Sequence, residues 1–288
     1  MRRLYTITAI LAIIISSSFS ASARENERPD STTDLSRPIT SIYSLEIGKQ
    51  WARSTFLSPY YYSGTNYSLT GTWSKAMPFA PDKAMMTFDS RIAAWTRLTN
   101  PAGNASMQGF DINFFWGMQA YKRLPHSITI GIGGGPELDG GVLTLLRNSN
   151  NPVSVNLSAA FSANAGITWQ GRIGRLPVSA TWSLRIPIVG AFFMPGYGET
   201  YYEIYLGNHS GLVHASWPGN HLRFNSRLAF QLDLGRTAME VGYRMITDRM
   251  AANNLVTRQL THAFTIGVIP HGLGRKSGKD KSENRVYF

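Results

Sequence analysis

Cysteine is absent from the 288-residue chain. Its absence excludes a disulfide framework, zinc held by thiolates and a cysteine nucleophile. Charged residues are also scarce, at 16% of the chain, and acids are outnumbered, with 17 Asp+Glu against 28 Lys+Arg. The resulting net charge of +11 is typical of proteins that bind nucleic acid. Other features of the sequence must decide whether this protein belongs to that class.

Long hydrophobic runs are missing as well. No run of 18 or more apolar residues occurs in the chain, so the sequence predicts no transmembrane helix. The N-terminus has a basic start, an apolar stretch over 4–15 and an Ala21-Ser22-Ala23 motif, which is the pattern of a secretory signal peptide cleaved after Ala23. An exported chain does not meet the chromosome, and no nucleic-acid partner is therefore expected.

Composition divides the chain into four parts. Residues 1–23 are the predicted signal peptide, and 24–40 are a polar linker that we expect to be disordered in the periplasm. Residues 41–269 form one block without an internal linker, and 270–288 are a polar, basic tail. The function must therefore be sought in the block 41–269.

That block alternates apolar and polar residues. In 153–169 the odd positions are apolar, from Val153 to Trp169, and the even positions are mostly polar, such as Ser154 and Asn156. A period of two indicates strands with one apolar and one polar face. The runs reach about ten to seventeen residues, whereas strands of soluble proteins average about 5–6 and a tilted strand that crosses a bilayer needs about 9–11.

The connections between these runs alternate between short and long, with long ones predicted at 51–64, 98–108, 134–152, 189–220 and 247–256. Long strands joined by short turns at one end and long loops at the other predict an all-β fold, an antiparallel transmembrane β-barrel in the outer membrane of a Gram-negative bacterium. The alternative is a secreted soluble barrel or sandwich, whose apolar faces would pack inward. The predicted strands are 41–50, 65–77, 84–95, 109–121, 127–133, 153–170, 178–188, 221–234, 237–246 and 257–269.

The strand count lies between ten and twelve. The segment 200–207 also resembles a strand, and if it pairs with 212–217, the barrel has twelve strands, which is the count we favour; otherwise it belongs to an extracellular excursion. A barrel of this size has a lumen that side chains can largely fill.

The polar strand faces predict a lumen charge network of five bases and five acids. An interior that is nearly neutral suits a filled, cross-paired lumen, whereas a strongly anion-selective pore would need a ring of one sign. The predicted members are Glu46, Asp89, Arg91, Asp111, Arg185, Arg223, Arg227, Asp233, Glu240 and Arg244.

Two further groups are predicted at the barrel ends. Trp73, Trp116, Trp169 and Trp182 lie near the ends of apolar faces and are interface aromatics. The excess positive charge falls in the short turns and predicts a basic periplasmic rim, suited to anionic headgroups or cell-wall material. Its members are Lys83, Lys122, Arg123, Arg172, Arg175 and Arg236.

His214 and Ser216 lie two residues apart on an extended segment and so share a face. A serine nucleophile needs a base, and the base needs an orienting group, for which Asn220 or Asn225 is available. The pair resembles outer-membrane phospholipase A, whose barrel carries a His-x-Ser pair with an asparagine on the next strand. The resemblance implies a lipid hydrolase that uses His214, Ser216 and Asn220, while a polar loop without a catalytic site is the reading that we favour.

Three segments, TFLSPYYYSG at 55–64, LDLGRTAMEVGYR at 232–244 and LTHAFTIGV at 260–268, resemble an uncharacterised outer-membrane barrel family of anaerobic Gram-negative bacteria, a group of unknown function. The resemblance implies fold and location only. The sequence predicts a structural barrel or one for narrow, porin-like small-solute transport, a monomer with no metal and no cofactor. Its predicted partners are outer-membrane lipid, cell-wall material or another envelope protein. The alternatives are the lipid hydrolase and an adhesion or partner-binding barrel that acts through 51–64 and 189–220.

Overall fold

The computed structural model describes residues 39–80, 83–148, 151–174, 176–199, 201–207, 210–234 and 237–270. The predicted signal peptide, nearly all of the predicted linker and nearly all of the basic tail lie outside these residues. No helix in the described ranges is long and apolar enough to cross a membrane.

Long antiparallel strands make up almost all of the described chain. They are β1 (Ile39–Ser54), β2 (Tyr62–Ala76), β3 (Ala84–Thr99), β4 (Ser106–Leu124), β5 (Ile128–Thr144), β6 (Val153–Ile173), β7 (Leu176–Phe193), β8 (Val213–Ser216), β9 (His221–Asp233), β10 (Thr237–Ala252) and β11 (Leu255–Pro270), with one helix, α1 (Tyr201–Tyr205), between β7 and β8.

Ten of these strands close into a barrel. Consecutive strands pair from β1 to β7, β7 pairs with β9, β9 with β10 and β10 with β11, and β11 pairs with β1 to complete the ring. The remaining strand, β8, pairs only with the last residues of β7, from Gly190 to Phe193. The predicted all-β antiparallel barrel is confirmed, with a ring of ten strands in the described residues.

The favoured count of twelve is wrong. Residues 201–205 form the helix α1 instead of a strand, and β8 has no second strand partner within the described chain. Tyr201, Tyr202 and Tyr205 give this segment the aromatic content of a strand, but they are equally compatible with a short helix. The segment 194–212, called here the β7–β8 excursion, contributes none of its described residues to the ring of ten strands.

Two predicted long loops are largely strand. β5 continues through the glycine-rich run to Thr144, and β10 and β11 are joined by a two-residue turn at Asn253 and Asn254 with φ of 51° and 60°. The glycines of β5 belong to a strand because the neighbouring strand leaves no room for a side chain. A Cβ at Gly133, for example, would lie 1.9 Å from the Met118 carbonyl oxygen. Pro136, which lacks an N–H, falls where the β4–β5 pairing is interrupted.

The barrel is apolar outside and polar inside. Large apolar side chains such as Phe114, Ile132, Phe161 and Phe264 are exposed on the outer face, while their polar neighbours in sequence point into the lumen. This distribution is that of a membrane-spanning barrel and not of a soluble barrel or sandwich, whose apolar faces would be buried. The lumen is consequently the place to look for polar chemistry.

Candidate functional site

All ten residues predicted for the lumen charge network point into the barrel and make polar contacts there. Glu46 on β1 accepts hydrogen bonds from Arg91 Nε on β3 at 3.3 Å and from Arg244 Nε on β10 at 2.6 Å. Arg91 also contacts Asp111 at 3.2 Å and Ser68 at 2.9 Å. Because Glu46 is fully buried, two guanidinium groups are what stabilise its charge inside the barrel.

One further ion pair crosses the lumen, and another joins the neighbouring strands β9 and β10. Arg185 on β7 lies 2.5 Å from Asp89 on β3, and its guanidinium lies 4.0 Å from the centre of the Phe115 ring. Arg227 pairs with Glu240, which also accepts a hydrogen bond from Gln231 at 3.0 Å. Contacts between strands on opposite walls tie the barrel together through its interior and leave little free space between the walls.

Three carboxylates of this network were not predicted. Glu137 lies near Arg185, while Asp139 and Asp248 both pair with Arg223. The predicted near-neutral lumen is therefore wrong, because eight carboxylates face five guanidinium groups among the described residues. The period of two contained the signal, because Asp248 has the same parity as Glu240 and Arg244, although it falls in the loop predicted at 247–256.

An apolar plug closes the lumen at the end that carries the longer loops. It is a cluster of buried side chains above the charge network, and its largest members are almost completely buried. The plug consists of Ala52, Phe56, Leu57, Tyr62, Ala93, Trp95, Leu98, Met107, Leu143, Leu145, Phe192, Met194, Met250 and Leu255. Its position accounts for apolar residues such as Leu98 and Met107 that point inward near strand ends.

A cavity lies near each end of the barrel. One of about 120 Å³ opens at the short-turn end and is lined by polar groups that include Thr72, Gln119 and Arg227. The other, of about 540 Å³, lies at the opposite end between Tyr60, Asn100 and Arg147. Neither of these two cavities has a lining that reaches both ends of the barrel.

Ser216, His221 and Asp248 form a buried polar chain directly below the plug. Ser216 Oγ lies 2.9 Å from His221 Nδ1, and His221 Nε2 lies 3.5 Å from Asp248 Oδ1. Serine, imidazole and carboxylate in series are the groups of a hydrolase triad. Ser216 is 2% and His221 1% exposed, and the Phe192 ring covers the imidazole at 5.7 Å.

The predicted catalytic set of His214, Ser216 and Asn220 does not assemble. His214 Nε2 contacts the Met194 carbonyl oxygen at 3.0 Å, and Asn220 holds its own turn by donating to the Ala215 carbonyl oxygen at 2.7 Å. The turn at 217–220 brings His221, and not His214, to Ser216. Sequence spacing could not reveal this turn.

Three of the four predicted interface aromatics are well exposed on the outer face, and all four lie on it. Trp73 and Trp116 flank Phe88 in one cross-strand row, and the Trp73 Nε1 donates to the Tyr43 hydroxyl at 3.1 Å. Trp169 and Trp182 lie on the neighbouring strands β6 and β7, and Trp182 donates to Ser226 at 3.1 Å. Tryptophans that lie on an apolar outer face and donate a hydrogen bond from the indole N–H are typical of the membrane interface.

The described rim residues lie at the short-turn end, as their sequence positions require. Lys83 precedes β3, Lys122 and Arg123 are in the last residues of β4, and Arg172 is near the end of β6. Arg175 and Arg236 lie outside the described residues. The opposite end also carries basic side chains, so the described basic residues are found at both ends: Lys49, Arg53, Arg97, Arg147, Arg249 and Arg258.

Within the described part of the chain, no three histidine or acidic side chains converge in a way that could hold a metal ion. His214 and His221 instead contact protein groups, as described above. His209, the third histidine of that region, lies outside the described residues.

Three solved structures are distantly similar to this chain. The transport unit of the autotransporter AIDA-I from Escherichia coli is 5% identical, with a TM-score of 0.43, over 88% of this chain and 97% of that chain. The β domain of the Bordetella autotransporter BrkA is 10% identical, with a TM-score of 0.43, over 81% and 99%. The outer membrane protease OmpT from Escherichia coli is 9% identical, with a TM-score of 0.43, over 83% and 99%.

No curated protein matches the chain. The model of a family described as "Protein of unknown function (DUF3316)" matches residues 6–277, most of the sequence. The predicted relationship to a family of unknown function is confirmed, and the chain belongs to this family.

Proposed function

We propose that the protein is a sealed outer-membrane barrel of a Gram-negative bacterium, with a structural role and no solute pathway through its lumen. An apolar belt around ten long strands supports the membrane location, together with the signal peptide predicted for 1–23. The proposal keeps the structural half of the sequence expectation and sets aside narrow transport.

The filled cross-section of the lumen carries the proposal. Glu46, Glu240 and Asn66 are completely buried although they lie on polar inner faces. If water filled the middle of the barrel, these side chains would be exposed to it. The apolar plug adds a second barrier in series, because an apolar constriction also excludes ions and polar solutes.

Solute efflux tests the proposal. The purified full-length chain would be reconstituted into vesicles loaded with a small sugar or a small fluorescent anion, beside a porin of known conductance as the positive control. We expect efflux no faster than from protein-free vesicles. Rapid, size-limited efflux or stepwise currents in a planar bilayer would contradict a sealed lumen.

A lipid hydrolase is the second candidate, favoured by the single observation that Ser216, His221 and Asp248 lie in series. Its base would be His221, with His214 as an internal control. If the chain is a hydrolase, it releases fatty acid from phospholipid, Ser216→Ala and His221→Ala abolish the release, and His214→Ala retains it. Equal release by wild type and Ser216→Ala excludes the enzyme. The burial of Ser216 beneath the apolar plug makes the structural role the better-supported of the two.

A partner-binding role is supported by the β7–β8 excursion. Tyr197, Tyr202 and Tyr205 are 81%, 68% and 83% exposed there, and exposed tyrosines are common in binding surfaces. This role is compatible with a sealed barrel, since it uses only the outer surface.

A further inference from the structure

Three arginines lie side by side on the outer face of the barrel near the longer loops. Arg53 on β1 is the register partner of Arg258 on β11, and Arg258 is the partner of Arg249 on β10. Their sequence neighbours Ala52, Ser54, Thr257, Asp248 and Met250 are buried and point inward, so the three arginines point outward. We call these three residues the arginine row.

The arginine row has no counter-charge among the residues that the structure describes. Like charges directly opposite each other on neighbouring strands destabilise a sheet. No carboxylate of the described residues lies within 4.0 Å of Arg53, Arg249 or Arg258, whereas all five lumen arginines have one. The described acids on strands all point into the lumen, and the others, Glu199 and Glu203, lie in the β7–β8 excursion.

Neutral groups hold the row in place. The Arg53 guanidinium lies 5.3 Å from the centre of the Tyr61 ring, Arg258 Nη1 donates to the Tyr61 hydroxyl at 3.4 Å, and Arg249 Nη1 donates to the Gly219 carbonyl oxygen at 3.3 Å. The Nε of Arg53 is buried without a hydrogen-bond partner in the described structure. The hydrogen bond from Arg258, with the neighbouring charge of Arg53, lowers the pKa of the Tyr61 phenol, a sign of the concentrated positive charge.

The level of the row fits lipid headgroups. Trp51 lies two residues below Arg53 on the same face and packs edge-on against His262 at 5.7 Å, while the Lys49 ammonium lies 5.3 Å from the Trp51 ring centre. Tryptophan marks the membrane interface. Two residues of a tilted strand rise about 5 Å along the membrane normal, so the row lies just outside the aromatic level.

We propose that the arginine row, with the Tyr61 hydroxyl, binds the phosphate group of an anionic lipid in the outer leaflet. Guanidinium groups form paired, charge-assisted hydrogen bonds with phosphate. The three guanidinium groups lie on adjacent strands, so they can contact the same headgroup. A lipid is the fitting source because the row faces outward, directly above the apolar belt, where acyl chains pack against the barrel. This inference rests on the proposed membrane-spanning barrel and names the lipid chemistry that one face recognises.

Lipid binding by native mass spectrometry tests the inference. The full-length chain in neutral detergent would be titrated with phosphatidic acid, with phosphatidylcholine as the neutral-lipid control. We expect the triple variant Arg53→Gln, Arg249→Gln, Arg258→Gln to lose phosphatidic acid affinity by about tenfold or more, because several charge-assisted hydrogen bonds are removed. The matched control Lys75→Gln, Arg97→Gln, Arg147→Gln removes the same charge elsewhere and should bind as wild type does.

Three results would overturn the inference: equal affinity in the arginine variant and wild type, equal binding of phosphatidylcholine, or displacement of the lipid by an equal concentration of inorganic phosphate. The last would assign the row to a free anion. If the glutamine variant fails to fold, the variant Arg53→Lys, Arg249→Lys, Arg258→Lys replaces it, because lysine keeps the charge but lacks the guanidinium group. Weaker binding of phosphatidic acid by this variant than by wild type supports the role of the guanidinium groups, and equal binding contradicts it. A conducting barrel would overturn the proposed sealed lumen without affecting these results.

Discussion

At the scale of single residues, the buried carboxylates of the lumen depend on particular arginines. Glu46 has no exposure and two guanidinium partners, of which Arg244 at 2.6 Å is the closer. Removing one partner of a buried ion pair leaves a charge that the remaining structure compensates poorly. The stability of the barrel should therefore respond sharply to Arg244.

We expect Arg244→Met, which keeps most of the side-chain volume and removes the charge, to reduce the free energy of unfolding by about 3–5 kcal/mol. Arg97→Met, at an exposed arginine on the outer face, should change it by about 0.5 kcal/mol or less. Tryptophan fluorescence during guanidinium unfolding from vesicles measures both. A smaller loss for Arg244→Met than for Arg97→Met would refute the central role of the lumen pairs.

At the scale of elements, the turn between β10 and β11 both closes a hairpin and anchors the β7–β8 excursion. Asn253 and Asn254 have similar positive φ, as a tight hairpin turn requires. Only Asn253 reaches the excursion, donating from Nδ2 to the carbonyl oxygens of Met194 and Gly211, each at 3.1 Å.

Glycine substitutions separate these two roles, since glycine accepts positive φ without strain. Asn254→Gly should leave stability within about 0.5 kcal/mol of wild type. Asn253→Gly should cost about 1–2 kcal/mol through two lost hydrogen bonds and should speed proteolysis within 194–212. Limited proteolysis with mass mapping measures the difference, and equal cleavage rates in the two variants would contradict the anchoring role.

Elements with unbroken alternation were predictable, whereas those with glycine or aromatic clusters were not. The period of two located strands such as β3, β9 and β10, and through them the inward faces that carry Arg91, Arg223 and Glu240. It failed for β5, where glycines meet neighbouring backbone too closely for a side chain, and for α1, whose tyrosines imitate a strand. The contact between Ser216 and His221 depends on the turn at 217–220, which no periodic pattern encodes.

At the scale of the whole molecule, the barrel keeps its strand carboxylates inside and leaves only basic charge on its outer face. The carboxylates of the described strands lie inside with five arginines, and the other described basic side chains of the barrel lie at both ends of the outer surface. The high net charge of the chain is therefore compatible with an envelope protein that meets anionic membrane components at both of its rims. The same sorting fills the lumen, because ion pairs that join opposite walls occupy its cross-section.

The absence of cysteine makes the sealed lumen directly measurable. Ser68→Cys places a thiol at a lumen position that is 2% exposed, and Tyr197→Cys places one in the excursion, where the tyrosine is 81% exposed. Each variant would be reconstituted in vesicles and treated with a water-soluble maleimide, before and after unfolding. The account predicts rapid labelling at 197 in the folded protein and labelling at 68 only after unfolding. Comparable labelling rates at both positions in the folded barrel would mean that water fills the lumen, and would contradict the account.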